Sequence, residues 1–433
     1  MSTDYRSFIL FQATRRMNQM IDESSISDWK ALTSVYTSAF FCSLGFFVVS
    51  FLIPIIAYGY MDASAIEVAL VFSLLTLGSA MFSPIAGRIA KTGRRRHSIF
   101  IGATVRAIAY TGMAISVFLG NKYILIINSL VWGLGAAFYN VGSDAEISER
   151  VLPANRAEAF GRRQASNGKG SVIGAIVGFT LILSIPDIGI FIVFGMFVVS
   201  NLIGGLIVIV NRPQLEEIEF ESPQIKRENL IGVGIAALII AAAIDTFISA
   251  LLSPFVELFI MERFTNDLTQ IALIYLPGGV ISGIFGGRMG KVADHKSKTA
   301  IISLAVIVGA ISTLSIVYIP AVVGYPWNLL SIALLFSIGS ATGVMAYTAI
   351  SSVFGTAYQG KASEGFGMFE AAMGFARFSA PLIGGVLWDF LDPSAPFILV
   401  GLSGFILVPI YAYGMQKYNK AIEKKGLQPE TVL

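Results

Sequence analysis

Long apolar runs alternate along the chain with short polar breaks. A helix needs about 20 apolar residues to cross the hydrocarbon core of a bilayer. Twelve runs satisfy this, at roughly 31–58, 64–90, 98–119, 122–144, 159–185, 188–211, 229–258, 266–290, 298–319, 326–352, 363–390 and 394–416. Most are separated by turns containing Gly, Pro, Asp or Asn. The longest polar stretch, NRPQLEEIEFESPQIKRENL (211–230), holds charges of both signs and two prolines. It predicts a linker at 212–228 between two six-helix bundles, 31–211 and 229–416, with flanking segments 1–30 and 417–433.

Composition agrees with spans rather than buried soluble helices. The 433 residues are 55% hydrophobic and only 13% charged, about half the ~25% of a soluble domain. An all-α polytopic membrane protein is therefore expected. A net charge of +3 gives no case for nucleic acid. The single cysteine, Cys42, excludes an internal disulfide and a cysteine metal cluster, and both histidines, His97 and His295, sit in polar loop strings. No metal or cofactor is expected, and no Gly-x-x-x-x-Gly-Lys-[Ser/Thr] loop indicates nucleotide drive. The N-terminus lacks the pattern of a cleavable signal. Residues 7–21, SFILFQATRRMNQMI, suit either an amphipathic surface helix or a tail.

The basic residues orient the spans. Of 30 Lys and Arg, Arg106, Lys169 and Arg377 fall within spans, and only Lys122 and Arg263 fall in loops on one side. All others share the opposite side with both termini. Basic loops remain in the cytoplasm, so both termini and the linker are expected there, in a cell-membrane protein.

The two bundles repeat one pattern. GRIAKTGRRR (87–96) returns as GRMGKVADHK (287–296), an offset of 200. At the same offset Pro54 meets Pro254, and Ser79, Ser83 and Gly87 meet Gly279, Gly283 and Gly287. Later the offset becomes 206: Glu158, Phe160 and Gly161 meet Glu364, Phe366 and Gly367, while Gly170, Gly174 and Gly178 meet Ala376, Ala380 and Gly384. Six is an even number of crossings, so the copies have parallel topology about an axis along the membrane normal. Small residues four apart share a helix face and let backbones approach. Such stripes on spans two, five, eight and eleven predict tight packing and a sliding seam between the halves.

Over almost its whole length the chain resembles the major facilitator superfamily. The loop GRIAKTGRRR is similar to that family's Gly-x-Leu-Ala-Asp-Arg-x-Gly-Arg-Arg after span two, and GRMGKVADHK stands where the family repeats it. RAEAFGRRQASNGKGSVIG and ASEGFGMFEA resemble the starts of its spans five and eleven. The resemblance implies twelve helices in two bundles around a central cavity, with alternating access. Two departures stand out. Lys91 replaces the loop aspartate, with one residue fewer in that loop, and Ser129 stands where many of the family's proton-coupled drug exporters carry an arginine before a glycine, here Gly133.

Ionisable residues inside spans are costly and usually have a partner or a task. Five qualify: Arg106, Lys169, Asp245, Glu370 and Arg377. Asp245 and Arg377 have similar depth and are predicted to face each other, either as a structural ion pair or in transport. Their repeat-equivalents, Gly45 and Ser171, are uncharged. Glu370 and Arg377 are seven residues apart on one helix face, about 10.5 Å along the axis. Arg106, on a third helix expected toward the outside of the bundle, would pair with Asp144. Glu67 and Glu257 would be solvated at the outer ends.

In the family the loops after spans two and eight pack against the starts of spans eleven and five. Glu364 and Glu158 there suit helix N-termini and could hold Lys91 and Lys291. Two gate pairs, Lys91–Glu364 and Lys291–Glu158, are thus expected, unless both lysines only anchor topology.

These features predict a secondary carrier for a small organic solute, acting as a monomer and driven by protons. Asp245 or Glu370 would take the proton, since the spans hold no histidine. Efflux of amphipathic compounds leads, and uptake or exchange of a small organic anion is the alternative. A membrane sensor without transport is the reading from a different class. An enzyme is disfavoured for want of a nucleophile or metal cluster in the spans.

Overall fold

A computed structural model of the chain describes residues 29–45, 51–90, 94–152, 155–185, 188–211, 233–265, 267–357 and 362–423. Residues 7–21, the linker 212–228 and Lys91 lie outside the described residues. Helix dominates throughout. Ten helices are long and apolar enough to cross a membrane: Ala65–Ile89, Arg95–Phe118, Lys122–Arg150, Arg156–Ser184, Gly189–Val210, Thr269–His295, Lys298–Val322, Trp327–Phe354, Glu364–Phe390 and Ala395–Lys420. These are spans two to six and eight to twelve.

Span seven is interrupted by a turn, and the repeat-equivalent prolines Pro54 and Pro254 both stand near the start of a helical segment. Span one runs as Trp29–Ser43, then Ile53–Ile55 leading into a π-helical turn, Ile56–Tyr60. Span seven runs as Val233–Ala250, turns through Leu251–Phe255, and resumes as Val256–Arg263. Proline lacks an N–H and its ring collides with the preceding turn; Pro54 stands in the first turn of Ile53–Ile55, and Pro254 in the turn before Val256–Arg263. Span eleven likewise breaks at Ser379, ahead of Pro381.

Spans five and eight pack along each other, as do spans two and eleven. This brings each half against its copy. A Cβ at Gly286 would stand 2.8 Å from the Gly161 carbonyl oxygen and 2.9 Å from the Ala165 amide. Gly279, Gly283 and Gly287 lie against Val172, Lys169 and Arg162, and Gly367 lies against Gly87. The stripe of span five divides its work. Gly170 and Gly174 press on Phe40 and Leu44 of span one, and Gly178 faces Val193 of span six, so these three pack within the first half.

Side chains anchor the basic end. Arg96 donates to Glu146 at 2.9 Å and to the carbonyls of Ala31 at 2.9 Å and Asn211 at 2.6 Å, tying spans one, three, four and six. Arg150 and Arg95 also pair with Glu146, at 2.7 and 3.7 Å. Aromatic contacts join the halves at both ends. At the basic end Phe160 lies 6.0 Å from Phe366 between ring centroids, and at the opposite end Phe51 lies 5.8 Å from Tyr275.

Overpacking a tight site costs about 1–3 kcal/mol. Gly286→Val should therefore lower the thermal midpoint of the purified protein, whereas Gly309→Val, with nothing within 4 Å of its Cβ, should leave it nearly unchanged. Equal midpoints for the two variants would refute backbone-close packing at span eight.

Candidate functional site

A cavity in two lobes, of about 590 and 670 Å³, lies between the halves. Both lobes are lined by Ser43, Asn140, Arg163, Asn167, Glu370 and Arg377, and these residues form the boundary between them. One lobe runs on past Phe72, Leu75, Arg106, Trp132 and Asp245, and the other past Tyr275, Ser340 and Tyr347. Its walls are thus mostly apolar with a few ionisable side chains, as in small-molecule sites generally.

Helical spacing aims these groups inward. Asn140 and Asp144 are four apart on span four, and Arg163 and Asn167 four apart on span five, so each pair shares a face. Arg163 pairs with Asp144 through Nη1 and donates from Nη2 to the Asn140 side chain at 3.1 Å. Both charges are buried. The expected Arg106–Asp144 pair is therefore replaced. Arg163 begins two turns into span five, and the polar run RAEAFGRRQ at that start made it read as loop-side rather than cavity-lining.

Asp245 and Arg377 both line the cavity, but they are not paired with each other. Arg377 bridges to Glu370 at 3.5 Å on its own helix and donates to the Met373 carbonyl at 3.3 Å. Asp245 accepts from the Tyr411 hydroxyl at 2.9 Å. The physical reason is reach. Two long side chains two turns apart on one face close the 10.5 Å axial gap without bridging the cavity.

Arg106 also departs from expectation. It is buried on the cavity wall, not at the outside of the bundle. Its guanidinium lies 5.0 Å from the centroid of the Trp132 ring and 5.2 Å from that of Tyr139, and donates to the Cys42 carbonyl at 2.9 Å. Lys169 is exposed beside Gly283 and does not line either lobe. Glu257 is buried rather than solvated, whereas Glu67 pairs with Lys122 at 2.7 Å.

The expected Lys291–Glu158 pair is not formed. Glu158 bonds Arg162 at 2.7 Å, and Lys291 is exposed. The loop is held instead by Asp294. Its carboxylate accepts from the amides of Ala157 and Glu158 at 3.1 and 2.9 Å, capping the start of span five where the helix dipole favours an anion. Of the other pair, Glu364 occupies the first turn of its helix and Lys91 lies outside the described residues.

The family model of the Major Facilitator Superfamily matches residues 35–364. The chain is 23% identical over 417 residues to a protein of Lactococcus lactis subsp. lactis (strain IL1403) described as a multi-drug resistance efflux pump PmrA homolog, covering 92% of this chain and 98% of that one. Among solved structures it is similar to the human organic anion transporter MFSD10 (TETRAN), with a TM-score of 0.66 at 15% identity, covering 88% of this chain and 98% of that chain. It is also similar to a bacterial homologue of the iron transporter ferroportin in an outward-facing state, with a TM-score of 0.65 at 13% identity and 89% and 99% coverage. These two structural likenesses show the fold.

Removing one partner of a buried ion pair costs about 3–5 kcal/mol, more than removing both. Arg163→Gln should accordingly destabilise the protein strongly, and adding Asp144→Asn should recover much of the loss. A double variant as unstable as the sum of the singles would show that the two charges do not act as a pair.

Proposed function

The chain belongs to the Major Facilitator Superfamily, and on that footing we propose that it is a proton-driven secondary transporter that exports amphipathic organic compounds by alternating access. Transport of a small solute across a membrane is the activity of the family. One observation carries the finer reading: the cavity is enclosed by both halves and sets apolar walls beside a few ionisable groups. Such a lining suits solutes with an apolar body and a polar head. The likeness to a multi-drug efflux pump homologue supports export. The basic end, carrying both termini, is the cytoplasmic one, in line with the distribution of Lys and Arg.

Asp245 is the preferred proton carrier over Glu370. Glu370 is engaged in an ion pair with Arg377, whereas Asp245 accepts from the neutral Tyr411 hydroxyl and forms no ion pair among the described residues. Protonation there would change the charge of a cavity wall shared by both halves, and so would bias which way the cavity opens.

Uptake or exchange of an organic anion is a second reading. It is favoured by Arg106, Arg163 and Arg377 together on the cavity wall and by the likeness to a human organic anion transporter.

In proteoliposomes, a pH gradient should drive uphill movement of an amphipathic dye, and Asp245→Asn should abolish this while leaving counterflow of labelled dye intact. If Asn at both Asp245 and Glu370 still allows accumulation against a gradient, neither residue carries the proton.

A further inference from the structure

Arg106 differs from the other two arginines of the cavity wall. Arg163 has Asp144 and Arg377 has Glu370. Arg106 is 6% exposed and forms no ion pair with a carboxylate of the described residues, and its one hydrogen bond goes to a backbone carbonyl. That bond caps the end of Trp29–Ser43, where a helix leaves carbonyls unsatisfied, and uses one of five guanidinium donors. Its Nε is buried with no partner.

The Trp132 indole N–H and the Tyr110 hydroxyl are buried beside Arg106, and the Tyr110 oxygen is the neutral acceptor that both the Trp132 N–H and the Arg106 guanidinium approach, without a well-formed hydrogen bond to either. Buried donors without a well-formed bond are few in native proteins. The Tyr110 hydroxyl that faces the Arg106 and Trp132 donors brings no charge to balance the guanidinium, so the cluster is short of an anionic acceptor. Arg106 and Trp132 both line the cavity lobe that also contains Phe72, Leu75 and Asp245.

We propose that Arg106, backed by the Trp132 N–H, is the subsite for the carboxylate of an amphipathic organic anion, whose apolar body lies along Phe72 and Leu75. This rests on the carrier reading above and names its substrate class. The aromatic neighbours fit the role. The guanidinium carbon lies over both the Trp132 and the Tyr139 rings, and cation–π contact retains the charge when the subsite is empty. Of the ionisable groups lining that lobe, Arg163 and Arg377 already have acids, so Arg106 supplies the cation available to a ligand. Asp245 is the remaining carboxylate there, and its protonation would remove the charge that opposes an incoming anion.

The test uses the full chain in nanodiscs, with equilibrium binding of 2-naphthoate, 2-naphthamide and 2-naphthylmethylammonium. Hydrogen bonds to charged groups contribute about 1.5–3 kcal/mol, so 2-naphthoate should bind about tenfold or more tightly than the amide, and the ammonium more weakly still. Arg106→Gln should remove the preference and leave amide affinity within about twofold. Asp245→Asn should keep the preference. If Arg106→Gln fails to fold, Trp132→Phe retains the ring and deletes the N–H, and should weaken the carboxylate several-fold while sparing the amide. Wild-type protein that binds the carboxylate no better than the amide, or Arg106→Gln or Trp132→Phe that retains the full preference, overturns the assignment. A carboxylate preference without counterflow of any solute would count against the carrier reading and leave the subsite standing. Counterflow of dyes without that preference would do the reverse.

Discussion

In lipid there is little hydrophobic force to press one helix on another, so packing rests on how closely backbones can approach. Here that constraint is met by small residues where spans five and eight meet, and spans two and eleven. Gly161 and Gly286 face each other with no side chain between them, and Gly367 lies on Gly87. Everything else in the architecture depends on this closeness. It sets each half against its copy and fixes the position of the cavity between them. Larger residues along these lines would hold the halves further apart.

A second constraint is the cost of charge in a low-dielectric interior. The structure meets it in two ways. Pairs neutralise each other, as with Asp144 and Arg163. Charges near the basic end satisfy backbone groups, as Arg96 does for the carbonyls of Ala31 and Asn211 and Asp294 for the amides that start span five. Two further charges, Arg106 and Asp245, stand on the cavity wall and form no ion pair among the described residues. Under the proposed function, these are the groups whose balance a solute or a proton would change.

Much of the fold was legible in the sequence because its causes are local. A run of about 20 apolar residues needs no tertiary context to be recognised as a span, and ten helices of that kind stand where they were expected. Pro54 and Pro254 marked equivalent places, although only the structure reveals that Pro254 lies in a turn between two helices. The site was less legible, because partnership across helices depends on rotation and depth that hydropathy does not fix. Asp245 and Arg377 have matching depth yet bond to Tyr411 and Glu370. Arg163 sat in a polar stretch that resembled a loop, and Lys169, at a depth where a functional charge was expected, points out of the cavity. For Arg163 and Glu370 the sequence held a usable signal: Asp144 and Asn140 four apart on span four, and Glu370 and Arg377 seven apart on span eleven, each advertise one polar helix face.

Aromatic contacts join the halves at both ends of the cavity, Phe160 with Phe366 and Phe51 with Tyr275. A carrier working by alternating access must release one while keeping the other. Spin labels at Glu158 and Glu364, and a second pair at Tyr60 and Glu262, placed in a Cys42→Ala background, would report both ends by pulsed electron resonance. The account predicts opposed changes: conditions that lengthen one distance shorten or preserve the other. Distances that stay single-valued at both ends across pH and added solute, or that lengthen together, would contradict a cavity opened by two halves moving against each other.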